Sequence, residues 1–180
     1  MRRVGIGMLM VVAGCGGGLG SPPGDFATAP GSSVLTPAVR KVTLTSKGGG
    51  LGGGQCSAAG VCVGPVFSYT LSLDTKRLAF NGSVFEGDPI MTVLVMDEVG
   101  LSASQFEMLT AVARAVTISA RTECGADAPS RELRVESADA ASTYGDDFYA
   151  CLGDYDHFVT FESLNNLQTA FLTIAPTPAP

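Results

Sequence analysis

Pro65-Val66-Phe67-Ser68-Tyr69-Thr70-Leu71-Ser72-Leu73 is the stretch that decides the fold. Phe67, Tyr69, Leu71 and Leu73 alternate with Ser68, Thr70 and Ser72, and a period of two sets every apolar residue on one face of a strand. Working outward, Asp74-Thr75-Lys76 predicts a turn, and Leu78 and Phe80 a returning strand. Asn81-Gly82, both tolerant of positive φ, predicts another tight turn. Upstream, Val42 and Leu44 alternate with Lys41, Thr43 and Thr45 until the glycines of 48–54 break the pattern. Downstream, Ile90–Met96 is a continuous apolar run, the pattern of a strand buried on both faces. Glu132–Glu136 and His157–Phe161 also suit strands, whereas the acidic stretch Ala138–Asp156 is expected to be loop.

Two helices are expected. Ser102 and Gln105 have the spacing of a capping box, with Leu101 and Phe106 placed for a hydrophobic staple. Phe106, Leu109, Ala113 and Val116 then form one apolar stripe. Leu164, Leu167, Phe171 and Ile174 repeat that spacing, with Ser163 as the expected cap and Pro176 as the stop. Half-buried strands and two one-sided helices predict an α+β domain over 39–175. Its core would be a mainly antiparallel sheet with two helices packed on one face, braced by disulfides. A Pro-rich tail, 176–180, would follow.

The 180 residues are 46% hydrophobic and 16% charged, with a net charge of −6. Wholesale disorder does not fit that composition. Excess acid argues against nucleic acid and against attraction to anionic lipid. At the amino terminus, Arg2 and Arg3 precede the apolar run Val4–Val12 and the small residues Ala13 and Gly14. This is the order of a secretory signal, and the run is far shorter than the ~20 residues of a membrane span. Val12-Ala13-Gly14-Cys15 resembles the lipobox of bacterial lipoproteins. The resemblance implies removal of 1–14 and a diacylglyceryl group on the Cys15 thiol, so that the membrane is met through a lipid anchor. An ordinary cleaved signal is the alternative. Gly16 after that cysteine resembles the outer-membrane sorting pattern of Gram-negative cells. The following residues, to Ala38, are rich in Gly, Ser and Pro and predict a flexible tether with an r.m.s. reach of about 25 Å.

Setting Cys15 aside leaves Cys56, Cys62, Cys124 and Cys151, an even count in an exported chain. Of the three possible pairings, Cys56–Cys62 closing a short loop and Cys124–Cys151 closing a longer one are favoured. A zinc site is the alternative, without C-x-x-C spacing to support it. The order of elements from the Cys-bearing glycine loop through Pro65–Leu73 to the capped helix resembles a family of uncharacterised bacterial exported domains. Those domains open Cys-Pro-x-Tyr-x-Leu-x-Ile. The resemblance spans roughly Arg40–Ala175 and implies a fold but no activity. Pro65 stands three residues after Cys62 instead of directly after it, and Phe67 takes the aromatic place. A fainter similarity is to small bacterial inhibitors of metalloproteases.

Candidate chemistry is sparse. Gly48, Gly50 and Gly53 match G-x-G-x-x-G and Asp74 follows at a ribose-contact distance, but no helix is expected to open after them, so nucleotide binding is not supported. Asp146, Asp147, Asp154, Asp156 and His157 are the densest potential ligands, matching no calcium-loop pattern, and a solvated acidic loop is the plainer reading. His157 is the lone histidine and therefore the only imidazole available as a general base. No G-x-S-x-G elbow is present. The expectation is a membrane-anchored envelope lipoprotein, non-enzymatic, acting as a binding or structural module on an unidentified envelope protein or ligand, with no cofactor. One alternative is a protease inhibitor presenting the loop Gln55–Gly64, closed by Cys56 and Cys62. Another is a hydrolase using His157 and the acidic loop 146–156.

Overall fold

The computed structural model describes residues 26–48, 56–58, 60–86, 91–123, 130–148, 150–152 and 155–176. Seven strands and two helices follow one another as β1 (Lys41–Lys47), β2 (Cys62–Ser72), β3 (Arg77–Glu86), β4 (Met91–Gly100), α1 (Ala103–Arg114), β5 (Arg131–Glu136), β6 (Ala141–Asp146), β7 (Phe158–Val159) and α2 (Phe161–Leu172). They form one sheet in the order β4-β3-β2-β1-β5-β6-β7, antiparallel except for the β6–β7 pair. The architecture is the expected α+β one.

Alternation explains the layering. Val42 and Leu44 on β1, Phe67, Tyr69 and Leu71 on β2, and Leu133 and Val135 on β5 are buried on one face. Thr43 and Thr70 meet on the other, their hydroxyls 3.2 Å apart. The helices cover the buried face: Leu109 and Ala113 of α1 and Leu164, Leu167 and Phe171 of α2 join the same core. Tyr69 joins the layers, its ring centroid 5.3 Å from Phe171, 5.0 Å from Phe80 and 5.4 Å from Phe67. The capping box forms as expected, with Gln105 N donating to Ser102 Oγ at 3.3 Å and Ser102 N to Gln105 Oε1 at 2.9 Å.

Several boundaries differ from expectation. Asn81-Gly82 is no turn but the middle of β3. Gly82 faces inward, where a Cβ would lie 2.7 Å from Phe67 Cβ and 2.9 Å from Phe80 Cζ. Glycine is required there for close packing, not for positive φ. The irregularity falls instead on β2, whose register slips between Val63 and Phe67, with Pro65 and Val66 turned out to solvent. Strand β4 is not buried on both faces. It is the sheet edge, with Leu94 75% and Met96 81% exposed.

The stretch Ala138–Asp156 is not all loop. It contains β6, whose Tyr144 is fully buried although its neighbours are too small and polar to signal a strand. The expected strand His157–Phe161 shrinks to β7, because Phe161 already begins α2. Thr160, not Ser163, occupies the cap position. Ser163 lies in the first turn, its hydroxyl donating to Thr160 O at 2.8 Å.

Residues 26–38, expected to be part of a tether, are docked on the domain instead. Val34 is fully buried, Gly31 N and Val34 N donate to Ile118 O and Val116 O, and Tyr144 Oη donates to Ala27 O at 2.8 Å. Chain from Phe26 onward therefore belongs to the domain. At the other end, Pro176 is buried and 177–180 lie outside the described residues.

Gly82→Ala should lower unfolding free energy by roughly 1–3 kcal/mol in urea titrations, the cost of overpacking. Asn81→Ala, on the exposed side of the same strand, should stay within about 0.5 kcal/mol of the parent. A turn at these residues would require both to matter.

Candidate functional site

The acidic segment is the natural starting point, since β6 ends in Asp146 and runs straight into Asp147. Successive strand residues point to opposite sides, so the two carboxylates part company. Asp146 is 2% exposed on the helix-covered face, in line with buried Arg131 and Ser46 of the neighbouring strands. Its Oδ1 accepts from Phe148 N at 3.0 Å. Burial pushes its carboxyl up from 3.8 to about 6, only partly opposed by the Phe148 N–H and the Arg131 charge. The Arg131 guanidinium sits 4.9 Å from the centroid of Phe161.

Asp147 turns toward the start of α2. Its Oδ1 accepts from Phe161 N at 2.8 Å and its Oδ2 from Ser119 Oγ at 2.6 Å. Thr160 makes no side-chain cap bond, so this carboxylate serves the helix terminus in its place. Around it lies an open cleft of about 480 Å³, walled by Ile118, Ser119, Arg121, Glu123, Phe148 and Phe161. Both oxygens of Asp147 are already engaged by donors that hold structure together.

Among the described residues, the other candidates do not line this cleft. His157 is half-buried and not among its lining residues. Its carbonyl accepts from Gly145 N at 3.0 Å and its ring lies 6.5 Å from that of Tyr144. Asp156 is exposed, and Asp154 lies outside the described residues. Among the described residues no group of three His, Cys, Asp or Glu side chains could hold a metal.

Cys56 and Cys62 form a disulfide across a tight turn in which Ser57 N donates to Val61 O at 2.7 Å and Gly60 takes φ +81°. Val61 and Val63 are buried, so only Cys56, Ala58 and Gly60 of the described loop residues face solvent, and Gln55 lies outside them. Cys151 is disulfide-bonded, while Cys124 and Cys15 lie outside the described residues. Of the G-x-G-x-x-G glycines only Gly48 is described. A disulfide turn and β2 follow the loop, and Asp74 pairs with Arg40 at 3.1 Å. Among the described residues, no helix opens after the loop to face a phosphate.

One cluster has no sequence signal at all. On the sheet's outer face Lys47 Nζ donates to Tyr155 Oη at 3.0 Å and pairs with Glu132 Oε2 at 2.5 Å, while Tyr155 Oη donates to the same carboxylate at 2.8 Å. The Glu132 and Tyr155 hydrogen bonds push the Lys47 ammonium up to about 12. Burial pushes Glu132 up, but the Lys47 and Tyr155 bonds outweigh it and hold the carboxyl below its ordinary value. The three residues are contributed by β1, β5 and the segment before β7. Their role is to pin that segment to the sheet.

Comparison with protein-family models, with curated proteins and with solved structures returns no match.

Because the folded state holds the Asp146 proton more tightly than the unfolded chain does, its contribution to stability is greatest below about pH 4 and is lost as pH rises through about 6. Asp146→Asn keeps the acceptor for Phe148 N and removes the titration. The variant's stability relative to the parent should rise by about 2 kcal/mol between pH 4 and pH 7, measured by urea unfolding at both. A difference that does not change with pH would show that Asp146 is not the titrating group.

Proposed function

We propose that this chain is a bacterial envelope lipoprotein, tethered through Cys15, whose domain works by binding and not by catalysis. The lipobox Val12-Ala13-Gly14-Cys15 carries the anchor reading. The bonded state of Cys56, Cys62 and Cys151 supports it, because structural disulfides belong to chains that leave the cytoplasm. No described helix is long and apolar enough to cross a membrane, so attachment in this reading falls to the acyl chains. Two or more such chains anchor stably where one binds only marginally.

The binding reading has its own support. Asp147 holds the Phe161 N–H and the Ser119 hydroxyl, a helix-capping role, and Asp146 is buried, so neither is presented as a free catalytic acid or base. The one histidine is not among the residues that line the cleft beside Asp147. Leu94 and Met96, the most exposed large apolar side chains among the described residues, stand side by side on the outer face of β4. Exposed apolar surface of that kind suits a contact with a partner.

Intact-mass analysis of the native protein should find a chain that begins at Cys15 and carries added diacylglyceryl mass, and Cys15→Ser should abolish palmitate labelling. A mature chain starting elsewhere, or label retained in Cys15→Ser, would overturn the anchor. Non-reducing peptide mapping should recover Cys124 joined to Cys151. A free Cys124 thiol would reject that pairing.

A further inference from the structure

Strand β4 lies at the end of the sheet, and no other described strand pairs along its outer side. The opposite edge, β7, is only two residues long, while β4 has ten in unbroken register with β3. Natural edges are blunted by lysine, proline, a bulge or an inward-pointing charge. β4, Met-Thr-Val-Leu-Val-Met-Asp-Glu-Val-Gly, has no lysine, proline or bulge, and its charges, Asp97 on the helix-covered face and Glu98, are confined to its carboxyl-terminal part, leaving 91–96 unprotected. Its apolar residues are also accessible on both sides. Leu94 and Met96 stand on the outer face at 75% and 81% exposure, and Val93 on the helix-covered face at 38%.

We propose that β4 pairs antiparallel with β4 of a second copy of this chain, about a two-fold axis at Leu94. A partner strand must bring apolar side chains to both faces at once, and β4 does that for itself. Centred on Leu94, the pairing sets Leu94 against Leu94, Val93 against Val95 and Thr92 against Met96, each of the latter two occurring twice by symmetry. The same register spreads the acidic end of the strand. Asp97 of one copy lies six strand positions from Asp97 of the other, about 20 Å at ~3.4 Å per residue, well beyond the screening length near 8 Å. Repulsion between the two Asp97 carboxylates is therefore small.

The amino-terminal segment fits the same symmetry. Tyr144 Oη reaches Ala27 O from the helix-covered face, and Val34 docks beside Val116 at the end of α1. A two-fold axis perpendicular to a continuous sheet keeps both helix layers on one side. Phe26 and Ala27 would then stand on the same side in both copies, as two molecules held by one membrane require. That last point rests on the lipid anchor; the strand pairing does not.

Full-length Cys15→Ser chain, which retains β4 but has no acylated thiol, should sediment as a dimer, as should the native protein in detergent. In the Cys15→Ser background, Leu94→Cys should give a reducible cross-link of twice the chain mass. Met96→Cys should not, because its own symmetry mate lies about 14 Å away, outside disulfide reach. Leu94→Lys, at a solvent-exposed position, should weaken association on the order of tenfold or more, since it sets like charges opposite each other. Monomers in both chains would overturn the proposal, as would a dimer that Leu94→Cys cannot link or a cross-link to a different protein. A dimer confined to the acylated protein would also overturn it, by assigning association to the lipid. Absence of acyl mass from the native chain would sink the anchor and leave the strand pairing standing.

Discussion

Tyr69 sits where the sheet meets α2, with three phenylalanine rings around it and no solvent exposure. Its hydroxyl has no hydrogen-bond partner among the described residues, and burial pushes its ionisation well above the ordinary tyrosine range. An unsatisfied buried hydroxyl costs about 1–3 kcal/mol. Each aromatic contact returns about 0.5–1.5 kcal/mol beyond the area it buries, so three of them offset the loss. The seam holds because rings from β2, β3 and α2 crowd one point. Gly82 is part of the same arrangement, leaving its Cβ space to Phe67 and Phe80.

What could be read from the chain followed from local pattern. β1, β2, β5 and both helices announced themselves by alternation or by three-and-four spacing, and the capping box of α1 was explicit in Ser102 and Gln105. β4 was legible as a strand but not in its placement, because an apolar run looks the same in a sheet centre and at an edge. β6 was invisible: Ala-Ser-Thr-Tyr-Gly-Asp has one large apolar residue, and only tertiary contact makes Tyr144 a core side chain. Asn81-Gly82 misled because the pair that suits a hairpin turn also suits a strand that must leave room for two rings.

The site was less legible than the fold, and for a physical reason. Asp147 acts on the amino terminus of a helix fourteen residues away, so the missing cap of α2 is satisfied by a side chain that local sequence rules do not search. Lys47, Glu132 and Tyr155 meet across as many as 108 residues. Both arrangements consume charged groups that a reading by residue type would offer as ligands or acids. Asp147, at the heart of that acidic stretch, holds the β6–α2 corner together.

Early docking of the amino-terminal segment has a consequence for range. With Phe26 seated against the domain, only ten residues separate it from Cys15, a leash that fully stretched spans at most about 40 Å. If Cys15 is held in a leaflet, the domain cannot patrol the envelope at a distance. Whatever it meets must come to that leaflet, already lie on it, or travel within it as a fellow resident.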